Sequence, residues 1–428
     1  MLQLHHKSRR SAIQRGKSAG VASYFAQKDK GKPLFPHSRP AKSGARRERD
    51  AALAAPAPGV AGCLGKTTKS DYKGPSAGIL EAAKRQASRY DLQDVARKLL
   101  PGQRVANCMR SRVSKGDGAG GFNGVHVMRS ESGGCHYAGL QVCGSVWTCP
   151  VCAVKISEHR RLELVDGVAA WRNSGGVVSL LTLTAPHWHG SDLVQLLAAQ
   201  ALALKRFWAD RHVVRCLKAL GAVGRVRAME VTHGAHGWHP HYHILIFSAA
   251  AGALCDVALL SERWAHCCVL GDLGRPSLAH GLRLHDGAYA AAYASKWGIE
   301  HELTKGHIKH SRGGKTPFDL LRAAALGDRE SGRFFQVYAS AFKGRRQLFW
   351  TKGLRAVLGL GVELDDQEAA ELTAPSQLVG SLTWHQWRYF VRLGLRGALL
   401  AEASVSWDAV IERWRWPFMS RLDESADW

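Results

Sequence analysis

The stretch WHPHYHILIF, residues 238–247, decides the fold. Its alternation of histidine, tyrosine, histidine and branched apolar residues has the two-residue period of a strand, in which side chains i and i+2 leave the same face. His241 and His243 therefore project together, close enough to share one metal ion, while Tyr242 points the other way. His239 falls on the histidine face and could replace either ligand. Upstream, residues 225–231 also alternate and read as a strand, and the Gly-rich segment 232–238 reads as the turn that makes the two a hairpin. If the turn spans about residues 232–239, Glu230 faces the histidine pair across that hairpin. A carboxylate and two imidazoles leave coordination positions open for a phosphate oxygen, which suits turnover with Mg²⁺ or Mn²⁺ better than a closed structural site.

Outward from the hairpin, VVSLLTLTAP (residues 177–186) has the β-branched content and proline stop of a buried strand, entered through Gly175-Gly176. Helical patterns precede it at residues 157–171 and follow it at 192–204. The order of elements predicts an α+β fold with a central antiparallel sheet flanked by helices. After Ala288 the Ala-rich AYAAAYASKW predicts a helix, with Gly298 as its terminator. Four regions are expected. Residues 1–76 form a disordered basic tail, with thirteen Lys or Arg against three acids in the first fifty positions. Residues 77–174 form a helical, zinc-binding segment, residues 175–360 the catalytic domain, and residues 361–428 a separate helical C-terminal appendage.

The formal charge of +24 points to a polyanionic partner, nucleic acid first. No stretch approaches the roughly 20 uninterrupted apolar residues of a spanning helix, and the start carries no secretory core, so a cytoplasmic location is expected. Of ten cysteines, Cys143, Cys149 and Cys152 form a knuckle with Cys135 and His136 just before it. That spacing predicts a closed, structural Zn²⁺ site, its fourth ligand being Cys135, His136 or Cys108, with Cys135 the first choice. Cys63, Cys216, Cys255, Cys267 and Cys268, and Cys108 if it is not a ligand, read mostly as buried small hydrophobes. On the Ala-rich helix, Tyr289, Tyr293 and Lys296 share one face, where small neighbours leave the phenols accessible for attack on a phosphodiester. Lys343, Arg345 and Arg346, beside Phe342, Phe349 and Trp350, combine cations with aromatic rings as single-strand binders do, and residues 305–315 form a second basic stretch. No GxxxxGK[ST] phosphate loop is present.

Taken in order, CGSVWTCPVCA, LTLTAPH, WHPHYHILIF, AAYASKW and AFKGRRQLFWTKGL resemble the rolling-circle replication initiators of plasmids and phages, with their His-hydrophobe-His endonuclease domain. The likeness runs over residues 135–360. It implies that LTLTAPH is the strand beside the active site, that His241 and His243 are metal ligands, that Tyr293 is the nucleophile, and that Lys296 helps hold metal or phosphate. It further implies nicking and rejoining of origin DNA through a 5′-phosphotyrosine, with host polymerase and helicase as partners. One turn before the nucleophile such initiators carry a glutamate in some groups and a second tyrosine in others; here it is Tyr289, which implies a second transesterification rather than hydrolysis. A transposase or relaxase would share the metal site, although relaxases place the tyrosine near the N-terminus. A zinc-containing DNA-binding regulator without catalysis is the reading from another class.

Overall fold

The structure, a computed structural model, describes residues 77–113, 124–249, 256–297 and 314–415. The basic tail 1–76, residues 305–313 of the second basic stretch, Cys63, Cys255 and Gly298 lie outside the described residues. In chain order the elements are α1 (Ala77–Leu99), β1 (Gly124–Ser130), β2 (Cys135–Ala138), α2 (Pro150–Asn173), β3 (Val177–Thr184), α3 (Leu193–Ala209) and α4 (Arg211–Ala219). They continue with β4 (Ala222–Gly234), β5 (Gly237–Ser248), α5 (Val257–Leu270), the one-turn α6 (Leu278–Gly281), β6 (Leu282–His285) and α7 (Gly287–Lys296). The last are α8 (Pro317–Ala325), α9 (Arg329–Ala341), β7 (Leu348–Trp350), α10 (Leu354–Val357), α11 (Asp366–Glu371), β8 (Ser376–Thr383), α12 (Trp384–Arg392), α13 (Arg396–Ala403) and α14 (Trp407–Arg413).

The fold is α+β. A five-stranded sheet runs in the order β6-β3-β5-β4-β7 with every neighbouring pair antiparallel. The hairpin between β4 and β5 is tighter than the sequence suggests. Pairing continues to Gly234↔Gly237, so the turn is Ala235-His236 rather than a loop over residues 232–239. Gly237, at φ +83, takes a conformation that a side chain would oppose. The register nevertheless sets Glu230 directly opposite His241.

Strand alternation sorts the sheet into two faces. Val178, Leu180, Val226, Ala228, Leu245, Phe247, Leu348 and Trp350 pack with Leu164 and Val168 of α2 and with Ala290 and Ala294 of α7. Leu181, Leu183, Met229, Val231, Tyr242, Ile244 and Ile246 join the larger core on the other side, with α3, α5, α8 and α9. Burying each Val, Leu, Ile, Phe or Met among them stabilises the fold by about 1.5–3 kcal/mol before entropy is counted. The first face carries the predicted metal ligands. Helices α2 and α7 cover its end at Leu245 and Phe247, while the end bearing Thr182, Glu230, His241 and His243 stays only half-buried.

The C-terminal region departs from the expectation of a separate helical appendage. Residues 376–383 form β8, which pairs antiparallel with β1 to make a second sheet, β2-β1-β8. The edge of β1 supplies the partner that makes a strand of this mixed stretch. Helix α13 crosses α1 closely because Gly397 has no Cβ to strike the Ala87 backbone, which would lie 2.7 Å away. Cys267 and Cys268 are buried thiols on α5, whereas Cys216 on α4 is disulfide-bonded.

Candidate active site

Thr184 and Thr182 of β3 stand opposite His241 and His243 of β5, and Glu230 completes the row from β4. Both imidazoles turn Nε2 toward one carboxylate oxygen: Glu230 Oε2 lies 3.3 Å from His241 Nε2 and 3.5 Å from His243 Nε2. Their other nitrogens are engaged behind them. His241 Nδ1 sits 3.3 Å from the His239 carbonyl, and His243 Nδ1 lies 3.0 Å from Thr182 Oγ1. A carbonyl only accepts, so His241 carries its proton on Nδ1 and, when neutral, presents a lone pair at Nε2. Both Nε2 atoms and the carboxylate oxygen thus converge on one point, where a divalent cation could be shared by all three. This donor set fits a divalent metal, and these three residues are one of two groups that could hold one among the described residues. Burial would raise the Glu230 carboxyl, but hydrogen bonds and charge from His241 and His243 outweigh it and hold the group well below the usual carboxylate range.

Helix α7 brings the phenol. Asp286 caps its first turn by accepting from the Tyr289 N–H at 3.0 Å. Ala290 and Ala294, both buried, let the helix lie close against α2 and β3. From that position the Tyr293 hydroxyl donates to Glu230 Oε1 at 2.9 Å, and its ring lies 4.8 Å from the His243 ring between centroids. The structure thus brings together Glu230, His241, His243 and Tyr293. Lys296 stands exposed in the last turn of α7. Tyr289 joins no member of the group and instead stacks on His285 at 4.1 Å.

His239 is not the alternative ligand that its position allowed. Its ring lies against His187, with Nδ1 atoms 3.3 Å apart, and its carbonyl orients His241. Burial, then repulsion from His241 and His187, pushes its pKa down to about 4, so it is neutral at pH 7. His187 and Thr182 are the residues that the sequence reading missed as supports. Thr182 could have been found as a polar residue in phase with Leu180 on a strand face that otherwise packs.

The cysteine cluster closes on Cys108, correcting the choice of Cys135. Cys108, Cys143, Cys149 and Cys152 are all buried and mutually adjacent, whereas Cys135 lies on β2 opposite Arg129. Its carbonyl accepts from Gln86 at 2.8 Å. Neighbouring sulfurs in the cluster are 3.5, 3.6 and 3.7 Å apart. Tetrahedral zinc with Zn–S bonds of about 2.3 Å would place its sulfurs about 3.8 Å apart, so the donor set fits. The cluster gathers at the start of α2, where Cys149 is the N-cap, Pro150 the first residue and Cys152 within the first turn. Cys108 arrives through a tight turn in which Met109 takes φ +51, a costly conformation for a residue other than glycine. Met109 is held by its N–H to the Gln141 carbonyl at 2.8 Å and by Arg396 on its own carbonyl at 2.9 Å. The Gln93 amide donates to Cys149 Sγ at 3.1 Å, and Arg396, fully buried, donates to Gln93 Oε1 at 2.7 Å. A hydrogen-bonded chain therefore runs from α13 through α1 to the cluster.

Lys343 and Arg346 are exposed and Arg345 is half-buried. They line a cavity of about 660 Å³ whose wall also carries Arg104, Arg160, Glu363, Asp365 and Asp366, so the basic strip faces acids of the same chain. No helix among the described residues is long and apolar enough to cross a membrane.

Comparison with known proteins gives three matches. Residues 137–251 match a family described as replication protein. The chain is 29% identical over 322 residues to "Protein rep" of Streptomyces lividans, covering 58% of this chain and 70% of that protein. It is 31% identical over 150 residues to "Neomycin resistance protein" of Streptomyces cyanogenus, covering 29% of this chain and 34% of that one. No solved structure matches. The replication-protein match spans the cysteine knuckle, β3, β4 and β5, including Glu230, His241 and His243, and ends before Tyr293.

Proposed function

We propose that this chain initiates rolling-circle replication, nicking and rejoining one strand of its origin DNA through Tyr293. The observation that carries the reading is the Tyr293 hydroxyl on Glu230 Oε1 at 2.9 Å while both histidines meet the other oxygen of the same carboxylate. The family match and the Streptomyces lividans relative support a replication role.

Glu230, His241 and His243 would hold the catalytic divalent metal, Mg²⁺ or Mn²⁺. When bound, it would draw charge from the scissile phosphate and offer open positions to its oxygens. Glu230 orients the Tyr293 hydroxyl and accepts its hydrogen bond. The phenol oxygen bonds to phosphorus, the P–O3′ bond breaks, and the phenol proton passes by way of Glu230 Oε1 to the departing 3′ oxygen. The products are a 5′-phosphotyrosine and a free 3′-hydroxyl for a host polymerase, working with a helicase on the displaced strand. Rejoining reverses the step and uses the energy kept in the protein–DNA bond, in keeping with a sequence that has no phosphate loop. Lys296, three residues after Tyr293 on α7, would help hold the metal or the phosphate, and Lys343, Arg345 and Arg346 would bind the DNA backbone. The cysteine cluster would hold Zn²⁺ as a closed structural site.

The test is incubation with an origin-bearing single-stranded oligonucleotide and Mn²⁺, then mapping of the modified residue. A covalent adduct on Tyr293, absent from Tyr293→Phe, is expected. An adduct that persists in Tyr293→Phe, or cleavage with no protein-linked strand, overturns the assignment.

A further inference from the structure

We propose that Tyr289 and His285 form a stacking ledge for one unpaired base of the nicked strand, with Arg283 placed for an adjoining phosphate, and that Tyr289 is not a second nucleophile. The inference rests on the nicking role of Tyr293.

Register places the ledge. Strand β6 pairs antiparallel with β3, Arg283 opposite Thr182 and His285 opposite Leu180. Arg283 and His285 therefore leave the same face as Thr182, the residue whose hydroxyl meets His243. Tyr289 lies one helical turn before Tyr293, about 6 Å along the axis. The ledge is anchored to the site strand, because the Thr184 hydroxyl donates to the His280 carbonyl at 2.6 Å and Arg283 reaches His280 Nδ1 at 3.0 Å.

The chemistry of the ledge suits a base. The Tyr289 and His285 rings are 4.1 Å apart and within 17° of parallel. Tyr289 is 53% exposed, so its side chain keeps surface accessible to solvent beside the stacked His285 ring. A flat, half-open aromatic surface beside an exposed guanidinium matches the sequence-tolerant mode of single-strand binding, in which bases stack on rings and cations take phosphates. A nucleophile has other needs. Tyr293 has a carboxylate to receive its proton and a metal-ligand set beside it, whereas the Tyr289 phenol makes no hydrogen bond among the described residues.

Binding of a fluorescein-labelled thymidylate 20-mer, followed by anisotropy without added divalent metal, tests the ledge apart from cleavage. Tyr289→Ala should weaken binding about tenfold, the size of one lost base stack. Tyr289→Phe keeps the ring and should restore affinity to within about twofold. His285→Ala should fall between them. Irradiating the same oligomer substituted with 5-iododeoxyuridine should cross-link the peptide that contains Tyr289. Unchanged affinity in Tyr289→Ala, with unchanged circular dichroism, overturns the ledge; equal loss in Tyr289→Phe and Tyr289→Ala shifts the role to the hydroxyl and overturns it too. Closed-circle release by Tyr289→Phe is expected, and its loss would make Tyr289 the second nucleophile after all. Failure of the nicking role would show separately, as wild-type protein that binds the oligomer normally and forms no adduct with Mn²⁺.

Discussion

The two candidate metal centres are assembled by the same rule and finished in opposite ways. Each begins with a close pair, Cys149 and Cys152 at the start of a helix or His241 and His243 on a strand, and each recruits the rest through the fold. The four cysteines are no more than 4% exposed and supply a full tetrahedral set. The other group has three ligands, with side chains 36% exposed for Glu230, 15% for His241 and 18% for His243. A protein that provides every ligand uses the ion for folding, whereas one that stops at three leaves room for a substrate. Their supports differ in kind as well. Gln93, held by a buried arginine, backs the closed cluster, while a half-buried threonine hydroxyl backs the open one.

The sharpest way to break this comparison is to remove one ligand from each centre. Cys108→Ser should cause the largest change, because the ion at a closed site contributes directly to folding free energy. The protein should lose about one bound zinc, measured by elemental analysis, and its Tm should fall by more than about 10 °C. A normally folded, zinc-replete Cys108→Ser protein would return the fourth position to Cys135 or His136. Next in size is His241→Ala. It should lower nicking about a thousandfold or more while thermal stability and oligonucleotide affinity change little, since phosphate contacts elsewhere carry most of the binding. A brief chelator treatment should mimic it, reversibly with Mn²⁺, and leave the cysteine-bound ion in place. Parallel loss of folding and nicking in His241→Ala would make both centres structural.

What was legible in the sequence follows the range over which each feature is determined. The strand phase of WHPHYHILIF is local, so the histidine pair and the opposite facing of Tyr242 could be read from it, and the cross-strand position of Glu230 survived an overlong turn because both registers pair residue 230 with 241. The Ala-rich helix was equally local. Cys108 was not, since it lies beyond residues 114–123 and two strands from Cys143, and it is brought in by a turn that Gln141 and Arg396 hold at Met109. β8 was hidden for a related reason. Its residues, mixed in polarity and mostly part-exposed, have little strand pattern of their own, with Leu382 the one fully buried member, and it takes its conformation from β1. Helical periodicity placed Tyr289 and Tyr293 on one face but could not show that one meets Glu230 and the other His285.

A smaller effect should come from the support of the closed centre. Gln93→Leu removes the donor to Cys149 Sγ and takes an acceptor from buried Arg396. Zinc affinity should fall toward a hundredfold, the upper range for loss of such an outer hydrogen bond, and stability should fall by about 2–4 kcal/mol because a buried cation loses part of its pairing. Competition with a chromophoric chelator and a denaturant titration measure the two separately. Unchanged zinc affinity would reduce Gln93 to a packing residue.

The smallest effect tests the open centre at the matching position. Thr182→Val keeps the β-branched shape that strand β3 prefers and removes only the hydroxyl 3.0 Å from His243 Nδ1. Stability should stay within about 0.5 kcal/mol, as expected at a half-buried site where shape is conserved. The imidazole, however, loses the partner that fixes its tautomer and ring orientation, so activation by Mn²⁺ should require about tenfold more metal. His241 should compensate in part, because its own Nδ1 is held by a backbone carbonyl that the substitution leaves untouched. Saturating Mn²⁺ should therefore recover most of the nicking rate in Thr182→Val and none of it in His241→Ala. If excess metal rescues neither, Thr182 acts on the DNA or the phenol rather than through His243, and the likeness between Thr182 and Gln93 as ligand supports fails.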